Sequence, residues 1–438
     1  MYRSNILLAA VLFIVLLKFA ETMSATMGGV SGKLELLVIL LLAGVSLLAR
    51  SIPRPLVLLC AAIVFALSFG LRSAFNPYGI GQLLIDLKLP LAIVAAYGFV
   101  THRLVAARLG PWFFLLLGVS LIFVAVMHAQ PGLYQAIFSQ ASISTTVAGT
   151  SYRRAVGIFV HPAPFGIFSS LALIYFLARG SVHGWSRRDK LGMLLAALCL
   201  LASGQRLEAL SVLAMALALY TLLFAQRPLV LMTLLLAGFL TLVVAGSGIV
   251  QIYQTAQTNF DSSTDPNDMI PRALLLNGAV RLANADFPFG AGLGTYASSM
   301  SQSNPTTAYA RSGITAVWWY GKRSFLTDTY WAKALGETGW IGAAILLAVY
   351  LAMLVGPALD VRAADPALAF GARLSFLGLG FMLLDSIAAP IYTGSALPIL
   401  LTATFFAYYL KAKQTPTSPE LPAGAAAVGG LRGGNQTV

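Results

Sequence analysis

The sequence predicts an all-α fold: a polytopic membrane protein of about 12 transmembrane helices, with one long periplasmic loop that contains short helices. Three observations predict it. Only 10% of the 438 residues are charged and 58% are hydrophobic, against roughly 25% charged in a soluble chain, and the mean hydropathy is +0.82. Apolar runs of about 20 residues, the length that spans a bilayer, recur throughout. A single sizeable hydrophilic stretch interrupts them, between positions 250 and 329. Lipid is therefore the solvent for most side chains, which excludes a soluble enzyme.

The first run, Ile6 to Met23, follows Arg3 and shows no convincing small-residue cleavage site, so it reads as a retained helix and not a signal peptide. In chain order, spans are expected at 5–23, 34–49, 55–71, 83–100, 112–128, 155–178, 190–204, 207–225, 228–249, 330–355, 368–388 and 393–410. The seventh is short enough to be broken or tilted. Basic residues then sort by side. With the N-terminus inside, the inner connections hold Arg50 and Arg54, Arg103 and Arg108, Arg179, Arg187, Arg188 and Lys190, and Lys411 and Lys413. The short outer connections hold only Lys33, Arg72, Arg153, Arg154 and Arg206. That asymmetry supports twelve spans with both ends inside, and it makes most of the net charge of +13 a matter of topology, with no nucleic-acid partner implied.

The organisation that follows has helices one to nine in residues 1–249, a large periplasmic loop in 250–329, helices ten to twelve in 330–411, and a disordered cytoplasmic tail in 412–438. The tail is rich in Pro, Gly and Ala. Within the loop, PRALLLNGAVRLANADFPFGAGLGTY predicts an amphipathic helix ended by Pro288 and by Gly290, Gly292 and Gly294.

Motifs of soluble enzymes are missing. GAGLGTY resembles a dinucleotide fingerprint only superficially, because no predicted strand precedes it, and there is no Walker A sequence. Four scattered histidines give no metal-site spacing, and Cys60 and Cys199, both inside apolar runs, read as buried thiols. No metal or cofactor is expected. What remains is a set of ionisable residues near the outer helix ends, where lipid makes a charge costly unless it faces a wet cavity.

Arg206, in SGQRLEAL, reads either as a site residue or as an interfacial arginine reaching the headgroups. Arg153 and Arg154 open the sixth span from outside, against the positive-inside bias, which favours a role such as holding a phosphate. His161, next to Pro162, is either part of that site or a packing histidine. Arg272 and Arg281 lie nine residues apart on the loop helix, about two and a half turns, so at most one of them enters a shared site. Arg311 and Lys322 read as solvated loop charges, with Arg323 as a further binding candidate. At the entry to the tenth span, Asp328 is either a functional carboxylate or a helix N-cap, and Glu337 is expected to pair with Lys333 one turn away.

Taken in order, these pieces resemble the O-antigen ligase/Wzy-type polymerase superfamily of bacterial membrane glycosyltransferases. The resemblance rests on Arg154, Gly157 and HPAPFG; on Ser203, Arg206 and Leu210; on Arg272 or Arg281 followed by Pro288 to Tyr296; and on Asp328 to Gly339. It runs from about Arg153 to Ile345. It implies a multi-pass protein of the inner membrane with its site facing the periplasm, using undecaprenyl-pyrophosphate-linked glycan as both donor and acceptor in contact with membrane lipid. A chain-length regulator is a candidate partner. By this resemblance Arg206, Arg272 and Asp328 are the catalytic candidates, and Arg153, Arg154, His161, Arg281, Arg323 and Glu337 bind substrate. Ligases carry histidine where this chain has Asp328, and that departure tilts the expectation toward a polymerase of exopolysaccharide or O-antigen. The alternatives are an O-antigen ligase or protein O-oligosaccharyltransferase of the same superfamily, or a polysaccharide transporter or flippase.

Overall fold

The structure, a computed structural model, describes residues 2–49, 52–73, 77–141, 153–224, 271–322 and 325–414. These residues fold almost entirely as helices: α1 Tyr2–Met23, α2 Ala25–Ala49, α3 Arg54–Ser68, α4 Pro77–Asp86, α5 Lys88–Phe99, α6 Leu109–Ala129, α7 Pro131–Ile137, α8 Pro162–His183, α9 Arg187–Ser203, α10 Arg206–Phe224, α11 Pro271–Ala285, α12 Ser299–Ser303, α13 Thr307–Arg311, α14 Tyr330–Asp360, α15 Pro366–Asp385 and α16 Ala396–Gln414. Among the described residues eight helices are long and apolar enough to cross a membrane, or nine when the bent pair α4–α5 is taken as one crossing. The protein is thus an all-α, multi-pass membrane protein. The predicted span 228–249 lies outside the described residues.

Three predicted spans depart from straight helices, each for a local reason. The fourth is bent by 42° between Asp86 and Lys88, because the ring of Pro90 opposes the carbonyl four residues back, at Asp86. The sixth starts at Pro162 and not near 155. Gly157 takes a left-handed φ of +57°, and proline disfavours helix in the residue before it while suiting the first helical position. The tenth, α14, is interrupted at Gly339, with φ 68° and ψ −174°.

Helices α5, α8, α15 and α16 form the buried centre, while α1, α2, α3, α6, α9 and α10 turn an apolar face outward. The central sequences explain the sorting. α15 carries Gly371, Ala372, Ser375 and Gly378 on its packed face, and a Cβ on Gly378 would stand 3.1 Å from the Phe405 ring. Small residues of this kind let membrane helices approach closely where lipid gives no hydrophobic drive for association.

Several charges inside the bundle are paired. Lys18 bonds Glu35 at 2.7 Å and Glu21 at 2.8 Å, while Glu35 accepts from the Ala396 amide at 2.8 Å. Lys88 donates to the carbonyls of Thr393 and Gly394 at 3.3 and 2.9 Å. The expected Lys333–Glu337 pair does not form. Lys333 pairs with Asp86 of α4, which also accepts from Gln82 at 2.9 Å, and Glu337 accepts from the Tyr296 amide at 3.1 Å. The spacing puts both side chains on one face of α14, but each finds a partner from another element. Breaking a buried pair on one side leaves an uncompensated charge, at about 3–5 kcal/mol. Lys333→Met is therefore expected to lower the melting temperature of the detergent-solubilised protein sharply, and the double variant with Asp86→Leu is expected to recover most of the loss.

Candidate functional site

At one end of the bundle a cavity of about 520 Å³ opens where the starts of α8, α10 and α11 meet the end of α15. Arg154, His161, Gln205, Arg206, Glu208, Arg272, Asp328 and Asp385 line it, with Ala388 to Pro390 closing one wall.

The Arg154 segment is held before α8 begins. The Ala155 amide donates to the Ala202 carbonyl at 2.9 Å, tying the strand-like stretch to the end of α9. Arg154 Nη2 then donates to Gly204 O at 3.2 Å and Gln205 Oε1 at 2.9 Å. Behind it, Gly157 O accepts from the Tyr134 hydroxyl at 2.7 Å. A Cβ on Gly157 would lie 2.9 Å from the Phe165 ring, and its positive φ would be strained for any other residue. Burial lowers the Arg154 pKa against the pull of Glu208, and the charges of Arg272 and Arg206 lower it further. Arg154 thus lies close enough to Arg206 and to Arg272 to feel both charges.

His161 is the N-cap of α8, its Nδ1 accepting from the Ala163 amide at 3.3 Å while the ring lines the cavity. Gly204 ends α9 in the left-handed conformation, and Arg206 opens α10 at the exposed mouth. From the loop, α11 brings Arg272, whose Nε stands 3.4 Å from Asp328 Oδ2. The capping alternative for Asp328 is corrected by this geometry: Thr329 occupies the N-cap position of α14 without a side-chain cap, and the Asp328 carboxylate faces Arg272. Burial raises the Asp328 pKa above the ordinary carboxylate range, with Arg272 opposing.

The loop reaches this position through its glycine segment. The amides of Ala291 and Gly292 donate to the carbonyls of Gly336 and Glu337 at 2.8 and 3.1 Å, at the break in α14, and the Leu293 amide donates to Gly70 O at 2.7 Å. A Cβ on Gly339 would lie 2.3 Å from Pro288 O. GAGLGTY is therefore a backbone plug in this helix break. Tyr296 adds an anchor, its hydroxyl donating to Leu275 O of α11 at 2.7 Å.

Other predicted site residues lie elsewhere. Arg153 is exposed beside the cavity and is not among the lining residues. Arg281 faces away from it and donates to Ser312 O at 3.4 Å. Glu337 is fully buried against Tyr296. Arg323 lies outside the described residues. Arg311 pairs with Asp286 at 2.7 Å, and Lys322 sits over the Trp318 ring at 5.2 Å.

Two lining residues escaped the sequence reading. Asp385 ends α15 fully buried, and among the described residues neither of its carboxylate oxygens has a hydrogen-bond partner; Glu208 is 4% exposed, and its Oε2 has none there either. Both could have been found, since each is an acidic residue inside an apolar run, and such residues mark wet or functional interiors. The wall beside Asp385 is fixed by Thr329 Oγ1 donating to Ile387 O at 3.0 Å and Trp331 Nε1 donating to Ser386 Oγ at 2.8 Å.

The cleft joins three guanidinium groups from three different elements to carboxylates set deeper or alongside. Guanidinium donors match phosphate geometry bidentately. An anion with two phosphoryl groups, carrying an apolar tail along the bundle, suits both the charge and the setting.

A family model described as O-antigen ligase matches residues 191–347, a segment that holds Arg206, Glu208, Arg272 and Asp328. Over that segment it supports the resemblance to the O-antigen ligase/Wzy-type superfamily read from the motifs. No curated protein matches the chain.

The geometry separates the two arginines of α11. Inorganic pyrophosphate titrated calorimetrically into the purified protein is expected to bind about tenfold more weakly after Arg154→Ala, Arg206→Ala or Arg272→Ala, the worth of a charge-assisted hydrogen bond. Arg281→Ala is expected to leave its affinity unchanged.

Proposed function

We propose that this chain is a glycosyltransferase that polymerises undecaprenyl-pyrophosphate-linked oligosaccharide repeats into exopolysaccharide or O-antigen at the periplasmic face of the inner membrane. The observation that carries the reading is the convergence of Arg154, Arg206 and Arg272 on one cleft with the Arg272-paired carboxylate of Asp328. In this reading the segment 250–329 is the periplasmic loop, and its helix α11 supplies one arginine to a site otherwise built on the ends of membrane helices.

The chemistry follows from the setting. Outside the cytoplasm no nucleotide sugar drives the transfer, so the energy resides in the donor's bond between the anomeric carbon and pyrophosphate. An acceptor sugar hydroxyl attacks that carbon, the bond to the pyrophosphate breaks, and undecaprenyl pyrophosphate leaves. The three guanidinium groups hold the departing pyrophosphate and stabilise the charge that grows on it. Preorganised donors of this kind are worth about 3–4 kcal/mol each in a site shielded from water. Asp328 takes the proton of the attacking hydroxyl. Its raised pKa makes it a stronger base than an ordinary aspartate.

The matched family description favours a second reading, in which the acceptor is a lipid A core or a protein and the chain is a ligase. The two separate on product length. Cells lacking the gene are expected to carry single repeat units without long polymer; full-length polymer left unattached to its acceptor would support the ligase instead.

Purified protein supplied with lipid-linked repeats is expected to release undecaprenyl pyrophosphate without added nucleotide and in the presence of a chelator. Arg206→Ala is expected to cut kcat by about 10²–10³, and wild-type turnover in that variant would remove Arg206 from the mechanism. The pH profile adds an independent check on Asp328. Its base form is lost as pH falls through a pKa that burial has raised, so the acid limb is expected above the ordinary carboxylate range. Arg272→Gln removes the charge that opposes burial, and the limb of the residual activity is expected to move to still higher pH. A limb that stays in place would show that Asp328 is not the titrating base.

A further inference from the structure

At the other end of α8, a full helix length or ~33 Å from the cleft (22 residues), a second cavity of about 410 Å³ lies between the start of α6, the end of α8 and the start of α9. Three guanidinium groups line it, those of Arg179, Arg187 and Arg188, against the single carboxylate of Asp189. Asp189 is committed: its Oδ1 stands 3.5 Å from Arg179 Nε, and its Oδ2 accepts from the hydroxyl of Ser186, the N-cap of α9, at 2.5 Å. The guanidinium of Arg179 runs past Gly110, where a Cβ would come within 3.1 Å of Nη1. Arg187 and Arg188 are both exposed at the cavity mouth, so the site carries positive charge in excess of its own acid.

The opposite wall is apolar, formed by Pro111, Phe114 and Phe176. From the lining residue Leu191 an exposed stripe continues along α9 through Leu194, Leu198 and Leu201, at intervals of three and four that keep it on one face. Depth is marked independently. Trp185, 40% exposed in the α8–α9 turn, packs on Gly180, and indoles of this kind sit at the headgroup level of a bilayer. Orienting charge alone would account for basic residues on a connection, but it would not gather three arginines around a cavity whose wall runs on as an acyl-length apolar track.

We propose that this cavity binds an anionic phospholipid, with its phosphodiester held by Arg179, Arg187 and Arg188 and an acyl chain laid along Leu191, Leu194 and Leu198. Basic pockets between membrane helices are suited to such headgroups. The site is separate from the cleft and independent of the reaction proposed there.

The test uses the full-length protein in detergent, with lipid binding followed by native mass spectrometry and thermal unfolding. Phosphatidylglycerol is expected to be retained, and to raise the melting temperature, at a concentration about tenfold below that needed with phosphatidylcholine, the worth of one charge-assisted contact. Inorganic phosphate is expected to do neither. The exposed pair Arg187→Gln and Arg188→Gln is expected to abolish the preference while leaving the lipid-free melting temperature unchanged. Equal retention of the two lipids, or a preference that survives both substitutions, would overturn the proposal. Stabilisation by inorganic phosphate matching that by phosphatidylglycerol would overturn the lipid assignment.

Discussion

The break in α14 at Gly339 is the constraint on which the upper part of the molecule depends. An interrupted helix leaves backbone carbonyls without their intrahelical partners, and in an apolar surround each such group costs several kcal/mol unless another donor reaches it. Here the donors are the amides of Ala291 and Gly292. Only glycine lets the two chains come this near, since a Cβ on Gly290 or on Gly339 would overlap the other's backbone. The loop is thereby fastened to a membrane helix by its own main chain. Its neighbours follow from that attachment: Tyr296 reaches Glu337 with its amide and Leu275 with its hydroxyl, α11 lies along α14, and Asn284 accepts from Trp340 just past the break. Arg272 arrives beside Asp328 as the end result of this sequence of contacts.

This explains what sequence could and could not reveal. Apolar runs and the one hydrophilic stretch announced the bundle and the loop, because burial in lipid leaves its mark residue by residue. The two arginines that open the sixth span against the orientation bias pointed to Arg154, whereas Arg206 stayed open between a site role and an interfacial one. The nine-residue spacing of Arg272 and Arg281 announced that they would part company. Partners were not legible. Lys333 and Glu337 share a face of α14, yet Asp86 and the Tyr296 amide claim them, and neither contact can be read until the kink at Pro90 and the plug at Gly339 are known. GAGLGTY carried a strong local signal whose meaning, a backbone fit into another helix, is non-local.

Glu208 and Asp385 were legible in principle. Neither is marked by the orientation bias, which concerns basic residues alone. A single acid at the end of an apolar run, as in FMLLDSIAAP, is as costly as an arginine and calls for an explanation as much.

Buried charges in this protein are satisfied to different degrees, in the scaffold as well as in the cleft: among the described residues Asp86 Oδ2 and Glu337 Oε2 also have no hydrogen-bond partner. Around Lys18, Glu35 and Lys88, the contacts tie α1 to α2 and tie α2 and α5 to the segment that opens α16, ending on a backbone group or an opposite charge. Such networks fix helices in one arrangement. In the cleft, among the described residues, Asp385 keeps both oxygens without partners and Arg154 keeps its Nε without one. Unsatisfied groups of this kind cost stability and are tolerated where something other than the fold completes them. A substrate that brings hydroxyls and phosphoryl oxygens supplies both missing kinds of partner at once. In the proposed reaction, hydroxyls suit the carboxylates at the floor and phosphoryl oxygens suit the guanidinium groups at the wall.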